Sequence, residues 1–98
     1  MFTFYVGLHD RTTDTEFDRD VAIGIIDGIV LEYSGGLTHF DAKGTYTYDD
    51  APVSESSLVY VVAGLSEDDA HAIADKIKSS LNQETVMITY EKQHLEFY

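Results

Sequence analysis

Phe2, Phe4, Val6 and Leu8 alternate with Thr3, Tyr5 and Gly7, the period of two that marks a β-strand with one buried face. After a polar stretch, His9 to Glu16, the period changes. Phe17, Val21, Ala22, Ile25, Ile26, Ile29, Val30 and Tyr33 recur at spacings of three and four, the pattern of an amphipathic helix. Alternation returns from Leu37 to Tyr48. Phe40, Ala42, Tyr46 and Tyr48 fall on one face, and His39, Asp41, Lys43, Thr45 and Thr47 on the other, so one face is expected in the core and one in water. Turn chemistry from Asp49 to Glu55 leads into the continuous apolar run Leu58 to Ala63, which predicts a central strand. A second helix follows, with the stripe Ala70, Ile73, Ala74, Ile77 and Leu81, and a last strand runs from Thr85 to Tyr90.

This order of periods, βαββαβ, predicts an α+β fold. The expected architecture is a ferredoxin-like sandwich: a four-stranded antiparallel sheet, order 4-1-3-2, with two helices on one face. At 98 residues the chain has room for one domain, expected over 1–98, with 91–98 forming an extra edge strand or a contact arm.

Local signals place the helix ends. Thr15 with Asp18, or Thr13 with Glu16, offers a capping box for the first helix, and Gly35-Gly36 a left-handed stop. Ser66 precedes Glu67, Asp68 and Asp69, an N-cap followed by acids that suit a helix N-terminus. Gly24 and Gly28 lie four apart in the first helix and are expected to let its backbone approach the sheet.

With 18 acidic and 6 basic residues the formal net charge is -12, which opposes direct binding to nucleic acid, a polyanion held through Lys and Arg. The charge suits solubility, or an acidic face that docks on a basic one. The absence of cysteine removes thiol nucleophiles, thiolate metal sites and disulfides. No membrane partner is expected, since no stretch reaches the roughly 18 apolar residues of a span, and the expected location is cytoplasmic.

In the expected topology three polar clusters share one end of the molecule: His9, Asp10 and Arg11; Tyr48, Asp49 and Asp50 with Glu55; and Asn82, Gln83 and Glu84. They form a candidate binding rim, as loops on a rigid scaffold often do. Solvated loops and caps would read the same way. The apolar run has a second face, Val59, Val61 and Ala63, which needs cover and predicts association with further copies of the chain. His9, His39, His71 and His94 lack the spacings of zinc sites and are expected at the surface, and no metal or cofactor is implied. Tyr48 and Tyr5 are placed to stack on a planar ligand.

Phe4-Tyr5-Val6-Gly7-Leu8-His9-Asp10, Ala42-Lys43-Gly44-Thr45-Tyr46 and Leu81-Asn82-Gln83-Glu84-Thr85 resemble stretches of a group of short phage and bacterial proteins. That resemblance implies a fold and an origin in a mobile element, with no activity attached. The element order also resembles that of the PII signalling proteins, oligomers that bind nucleotides between subunits, although the hairpin here is shorter and lacks their basic phosphate binders. No phosphate loop, nucleophile elbow or catalytic triad is readable. The expectation is therefore a non-enzymatic, phage-encoded inhibitor whose acidic surface blocks a basic nucleic-acid-binding site on a host protein. Two alternatives stand beside it: an oligomeric binder of a small, polar, nucleotide-like ligand, and a small enzyme with a carboxylate site at the rim.

Overall fold

The computed structural model describes residues 1–92, 96 and 98. Its main sheet contains β1 (Phe2–Gly7), β4 (Thr38–Tyr48), β5 (Ala51–Val62) and β6 (Met87–Tyr90), in the order β4-β5-β1-β6 with every neighbouring pair antiparallel. Helices α1 (Arg19–Leu31) and α2 (Glu67–Ser80) cover one face. Between β1 and α1 the chain adds a small ladder that the periodicity did not predict, β2 (His9–Asp10) with β3 (Thr15–Glu16). The edge strand or arm expected over 91–98 lies partly outside the described residues.

Alternation in β1 sends Phe2, Phe4 and Val6 into the core, where they meet Leu58, Tyr60 and Val62 of β5 and Ala22, Ile26, Ile73 and Ile77 of the helices. Phe4, Val6, Tyr60, Ile26 and Ile73 are fully buried, so one side of the sheet forms the single core among the described residues.

The first helix starts later than either capping box implied. Asp18 is its N-cap and accepts from the Val21 N–H at 3.0 Å, because Thr15 and Glu16 are already paired in β3. Its end uses no left-handed glycine. Glu32 closes it in a right-handed conformation, its N–H donating to the Ile29 carbonyl at 3.2 Å and the Tyr33 N–H to the Val30 carbonyl at 3.0 Å, and Gly64 is the glycine with positive φ among the described residues. Gly24 and Gly28 also differ from expectation: a Cβ built at either meets nothing within 4 Å, so neither brings backbone close to the sheet. Each then weakens the helix by about 1 kcal/mol relative to alanine with no packing gain. Gly24→Ala and Gly28→Ala are each expected to raise Tm, by roughly 4–8 °C per kcal/mol in a domain of this size, in a thermal melt.

Helix α2 follows its sequence signals. Ser66 accepts from the Asp69 N–H at 3.1 Å, and Ala70, Ile73, Ala74 and Ile77 are buried. Its exit matters for the site. Asn82 takes φ 48° just after the cap residue Leu81, and the Gln83 N–H reaches back to the Lys78 carbonyl at 2.9 Å, the six-to-one bond of a Schellman ending.

Two further expectations are corrected on β4 and β5. The region from Asp49 to Glu55 is not a loop. Asp49 and Asp50 alone make the turn, with φ 51° and 60°, the conformation of a two-residue type I′ hairpin that aspartate tolerates. Pro52 fits within β5 because it faces Thr47, one pair beyond the turn-closing pair Tyr48–Ala51, where its missing N–H would point away from β4. The face of β4 that packs under α1 is the polar one. His39 and Asp41 point there, while Phe40 remains 51% exposed on the opposite side.

His39 is accordingly not a free surface histidine. Its Nδ1 lies 3.3 Å from Asp27 of α1, the fully buried Tyr60 donates its hydroxyl to the same carboxylate at 2.8 Å, and the two rings meet edge to face at 5.1 Å. Burial, then the hydrogen bond to Asp27, pushes the Tyr60 phenol far above its ordinary value. The folded state therefore holds Tyr60 neutral where the unfolded chain ionises. Stability from this group is intact below about pH 10 and falls above it, by up to about 1.4 kcal/mol per pH unit. Denaturation of Tyr60→Phe between pH 9 and 11 is expected to show a flatter decline than the parent protein.

Candidate functional site on the open sheet face

The helices cover one face of the sheet and leave the other bare. On β1 the bare face presents Thr3, Tyr5 and Gly7; on β5 it presents Glu55, Ser57, Val59 and Val61; on β4 it presents Phe40, Ala42, Gly44 and Tyr46, with Met87 on β6. The hollow over these residues holds about 1020 Å³, and its polar end reaches His9, Arg11, Gln83 and Glu84. Phe40, Tyr46 and Met87 are 51%, 47% and 57% exposed, a larger apolar surface than a single core requires.

Of the predicted rim, two clusters meet. Asn82 donates through its side-chain amide to the Asp10 carboxylate at 2.9 Å and to the Thr12 hydroxyl at 2.7 Å, and accepts at its carbonyl from Arg11 Nε at 3.2 Å. Gln83 donates to the His9 carbonyl at 2.7 Å, Arg11 lies 3.8 Å from Glu84, and His9 Nε2 lies 2.9 Å from Asp14. The left-handed turn at Asn82 makes this possible, since it stops α2 and swings Asn82 and Gln83 toward β2 and the β2–β3 turn. The Asn82 amide, followed by the Thr12 N–H, holds the Asp10 carboxyl below the usual carboxylate range. These groups largely satisfy one another, so they brace the rim.

The third cluster is divided. Tyr48, Asp49 and Asp50 sit at the tip of the β4–β5 hairpin, which continues past Ser57, the partner of the last residue of β1. At about 3.3 Å per residue the tip lies roughly 20 Å farther on, which accounts for the 44 Å long axis of the molecule. Glu55, expected beside them in a loop, is instead on β5 and faces the hollow.

Glu55 is the most distinctive group there. Its cross-strand neighbour on this face is Gly44, and its carboxylate lies across Gly7: a Cβ at position 7 would come within 2.7 Å of Oε1 and 3.1 Å of Cδ. Among the described residues it makes no ion pair or hydrogen bond. The carboxylate of this partly exposed residue thus lies over bare backbone, in a hollow that Tyr5, Phe40 and Tyr46 also line, with no partner among the described residues. Sequence reasoning names Glu55 and Tyr5 but misses Phe40 and Tyr46, because the apolar side of β4 is assigned to the core, and it also misses Met87 on β6. Val59 and Val61 do lie on this face. Val59 is nevertheless 4% exposed, covered by its own neighbours, and Ala63 lies beyond the end of β5.

None of the described helices is long and apolar enough to cross a membrane. Among the described residues no group of His, Asp and Glu is arranged to hold a metal ion.

No family model matches the sequence, and no curated protein is significantly similar to it. Solved structures do resemble its fold. A phage SAM lyase in complex with S-methyl-5'-thioadenosine superposes with a TM-score of 0.63 at 22% identity, over 89% of this chain and 75% of the other. A phage SAM lyase in the apo state gives 0.57, also at 22% identity, over 89% and 74%. The periplasmic divalent cation tolerance protein CutA from Archaeoglobus fulgidus gives 0.65 at 12% identity, over 98% and 89%. The expected likeness in fold to small phage proteins and to PII-like chains is borne out. The expectation of a non-enzymatic protein is corrected, because an enzyme stands among the structures that share this α+β fold of two helices on an antiparallel sheet.

Proposed function

We propose that this chain is a ferredoxin-like, phage-type enzyme that cleaves S-adenosylmethionine and releases S-methyl-5'-thioadenosine, with the open sheet face as its active site. The observation that carries this reading is the Glu55 carboxylate, unpaired among the described residues and lying over Gly7 beside Tyr5 and the apolar hollow. S-adenosylmethionine has a planar adenine, a sulfonium with a fixed positive charge and an aminobutyrate end that carries an ammonium and a carboxylate. The aromatic rings of the hollow suit the adenine and the sulfonium, which an aromatic face also attracts as a cation. Glu55 suits the ammonium. That charge is unchanged as the reaction proceeds, so holding it orients the aminobutyrate without opposing the loss of charge at sulfur.

The chemistry needs no external reagent. The bond between sulfur and the aminobutyrate γ-carbon breaks, and its electron pair stays on sulfur, leaving a neutral thioether. The γ-carbon is then satisfied by the substrate's own carboxylate, which closes a ring. The resemblance of fold to the lyase structures supports this reading, as does the net charge of -12, which attracts a substrate with two positive groups and one negative. Association of copies through the same face, favoured by the exposed Phe40, Tyr46 and Met87, would shield the ligand from water.

Incubating the purified chain with S-adenosylmethionine and following S-methyl-5'-thioadenosine by chromatography tests the reading. Release above the spontaneous rate is expected. A rate equal to the spontaneous one, with no heat of binding in calorimetry, refutes it.

A further inference from the structure

The geometry points to Gly7 as a positioning residue for Glu55, an inference that rests on the open face being the S-adenosylmethionine site. Gly7 closes β1 and pairs with Ser57, so its missing side chain would project into the hollow. The three carboxyl atoms of Glu55 occupy that space, at 2.7, 3.1 and 3.1 Å from where a Cβ would be. Contacts this short do not persist between real atoms, so any side chain at position 7 displaces the carboxylate.

The displaced group is the far end of a flexible side chain, which makes the move cheap for the fold. The backbone does not require glycine either. Gly64 is the positive-φ glycine among the described residues, so Gly7 has strand dihedrals that alanine adopts readily. Of the other glycines on this face, Gly44 would place a Cβ 3.5 Å from the Ser57 hydroxyl, an ordinary contact. Gly7 is thus kept free of a side chain by the site and not by the sheet, and it sets where the carboxylate waits for the ammonium.

Gly7→Ala is expected to leave Tm unchanged or slightly raised and to lower kcat/KM for S-adenosylmethionine about tenfold. Affinity for S-methyl-5'-thioadenosine, which lacks the ammonium, is expected to stay within twofold. A merely structural role would move both ligands together. In Glu55→Asp the carboxylate is one methylene shorter, so adding Gly7→Ala is expected to cost nothing more, and the two changes are non-additive. Equal loss for both ligands, or full additivity, overturns the assignment.

A ligand-free measurement separates this inference from the activity. The parent protein should show a nuclear Overhauser contact between the Gly7 α-protons and the Glu55 γ-protons, and Gly7→Ala should shift the Glu55 carboxyl ¹³C resonance. Absence of the contact, or an unmoved resonance, overturns the positioning role even if turnover is found. Turnover that is absent while the contact is present refutes the activity alone.

Discussion

Glu55→Gln is expected to lower kcat/KM for S-adenosylmethionine about 100-fold while leaving Tm within a degree or two of the parent. The amide has nearly the volume of the carboxylate and fits over Gly7 in the same way, so the fold loses little. What disappears is the charge. A hydrogen bond to a charged group is worth about 1.5–3 kcal/mol, or roughly 10- to 150-fold, and loss of orientation at the aminobutyrate adds to it. Part of the effect should fall on KM, because the ammonium is bound in the ground state as well as in the transition state. Binding of S-methyl-5'-thioadenosine should be unaffected. A change under threefold in kcat/KM would remove Glu55 from the site.

The same variant separates local from global electrostatics. The acidic surface steers a cationic ligand from a distance, and that attraction is screened within about 8 Å at physiological ionic strength. Salt should therefore raise KM in both the parent and Glu55→Gln. The acidic residues behind this field are spread over separate elements: Asp49 and Asp50 at the hairpin tip, and Glu67, Asp68 and Asp69 in the first turn of α2. A field of this kind can favour a small cation without a single protein-docking patch.

The elements were legible in the sequence wherever burial is one-sided. β1 and α2 follow directly from alternation, from the spacing of Ala70, Ile73 and Ile77, and from the Ser66 cap. β4 has apolar residues on one face and hydrogen-bonding residues on the other. Periodicity reports that the faces differ and not which one is inside, and here His39 and Asp41 lie on the helix side, where Asp27 and Arg19 of α1 pair with them. The hairpin was hidden for a related reason. Ala51-Pro52-Val53-Ser54 reads as a loop by composition, but a two-residue turn at Asp49–Asp50 leaves it paired along its length with β4. At the site, the rim contacts among Asp10, Arg11 and Asn82 were foreseeable from topology. The Glu55–Gly7 approach was not, because it joins residues 48 apart in sequence through a register that only the paired strands define.

Phe4→Ala and Tyr5→Ala, adjacent on β1, are expected to fail in opposite ways. Phe4 is fully buried between the sheet and both helices, and its truncation should cost about 3–5 kcal/mol. A domain of this length has roughly 5–15 kcal/mol in total, so this variant should be largely unfolded well below the parent Tm. Tyr5 is 36% exposed on the other face, where its loss should cost the fold only about 1 kcal/mol. If its ring stacks on adenine, worth about 1–3 kcal/mol, affinity for S-methyl-5'-thioadenosine should drop by roughly 5- to 150-fold in a protein that still melts cooperatively. Equal destabilisation by the two changes would mean that the bare face is a second core, covered by another copy of the chain. An intact affinity in Tyr5→Ala would place the adenine elsewhere on the sheet. On the proposed function, the alternation that builds the strand separates stability, at the even positions of β1, from recognition, at the odd ones, within two consecutive residues.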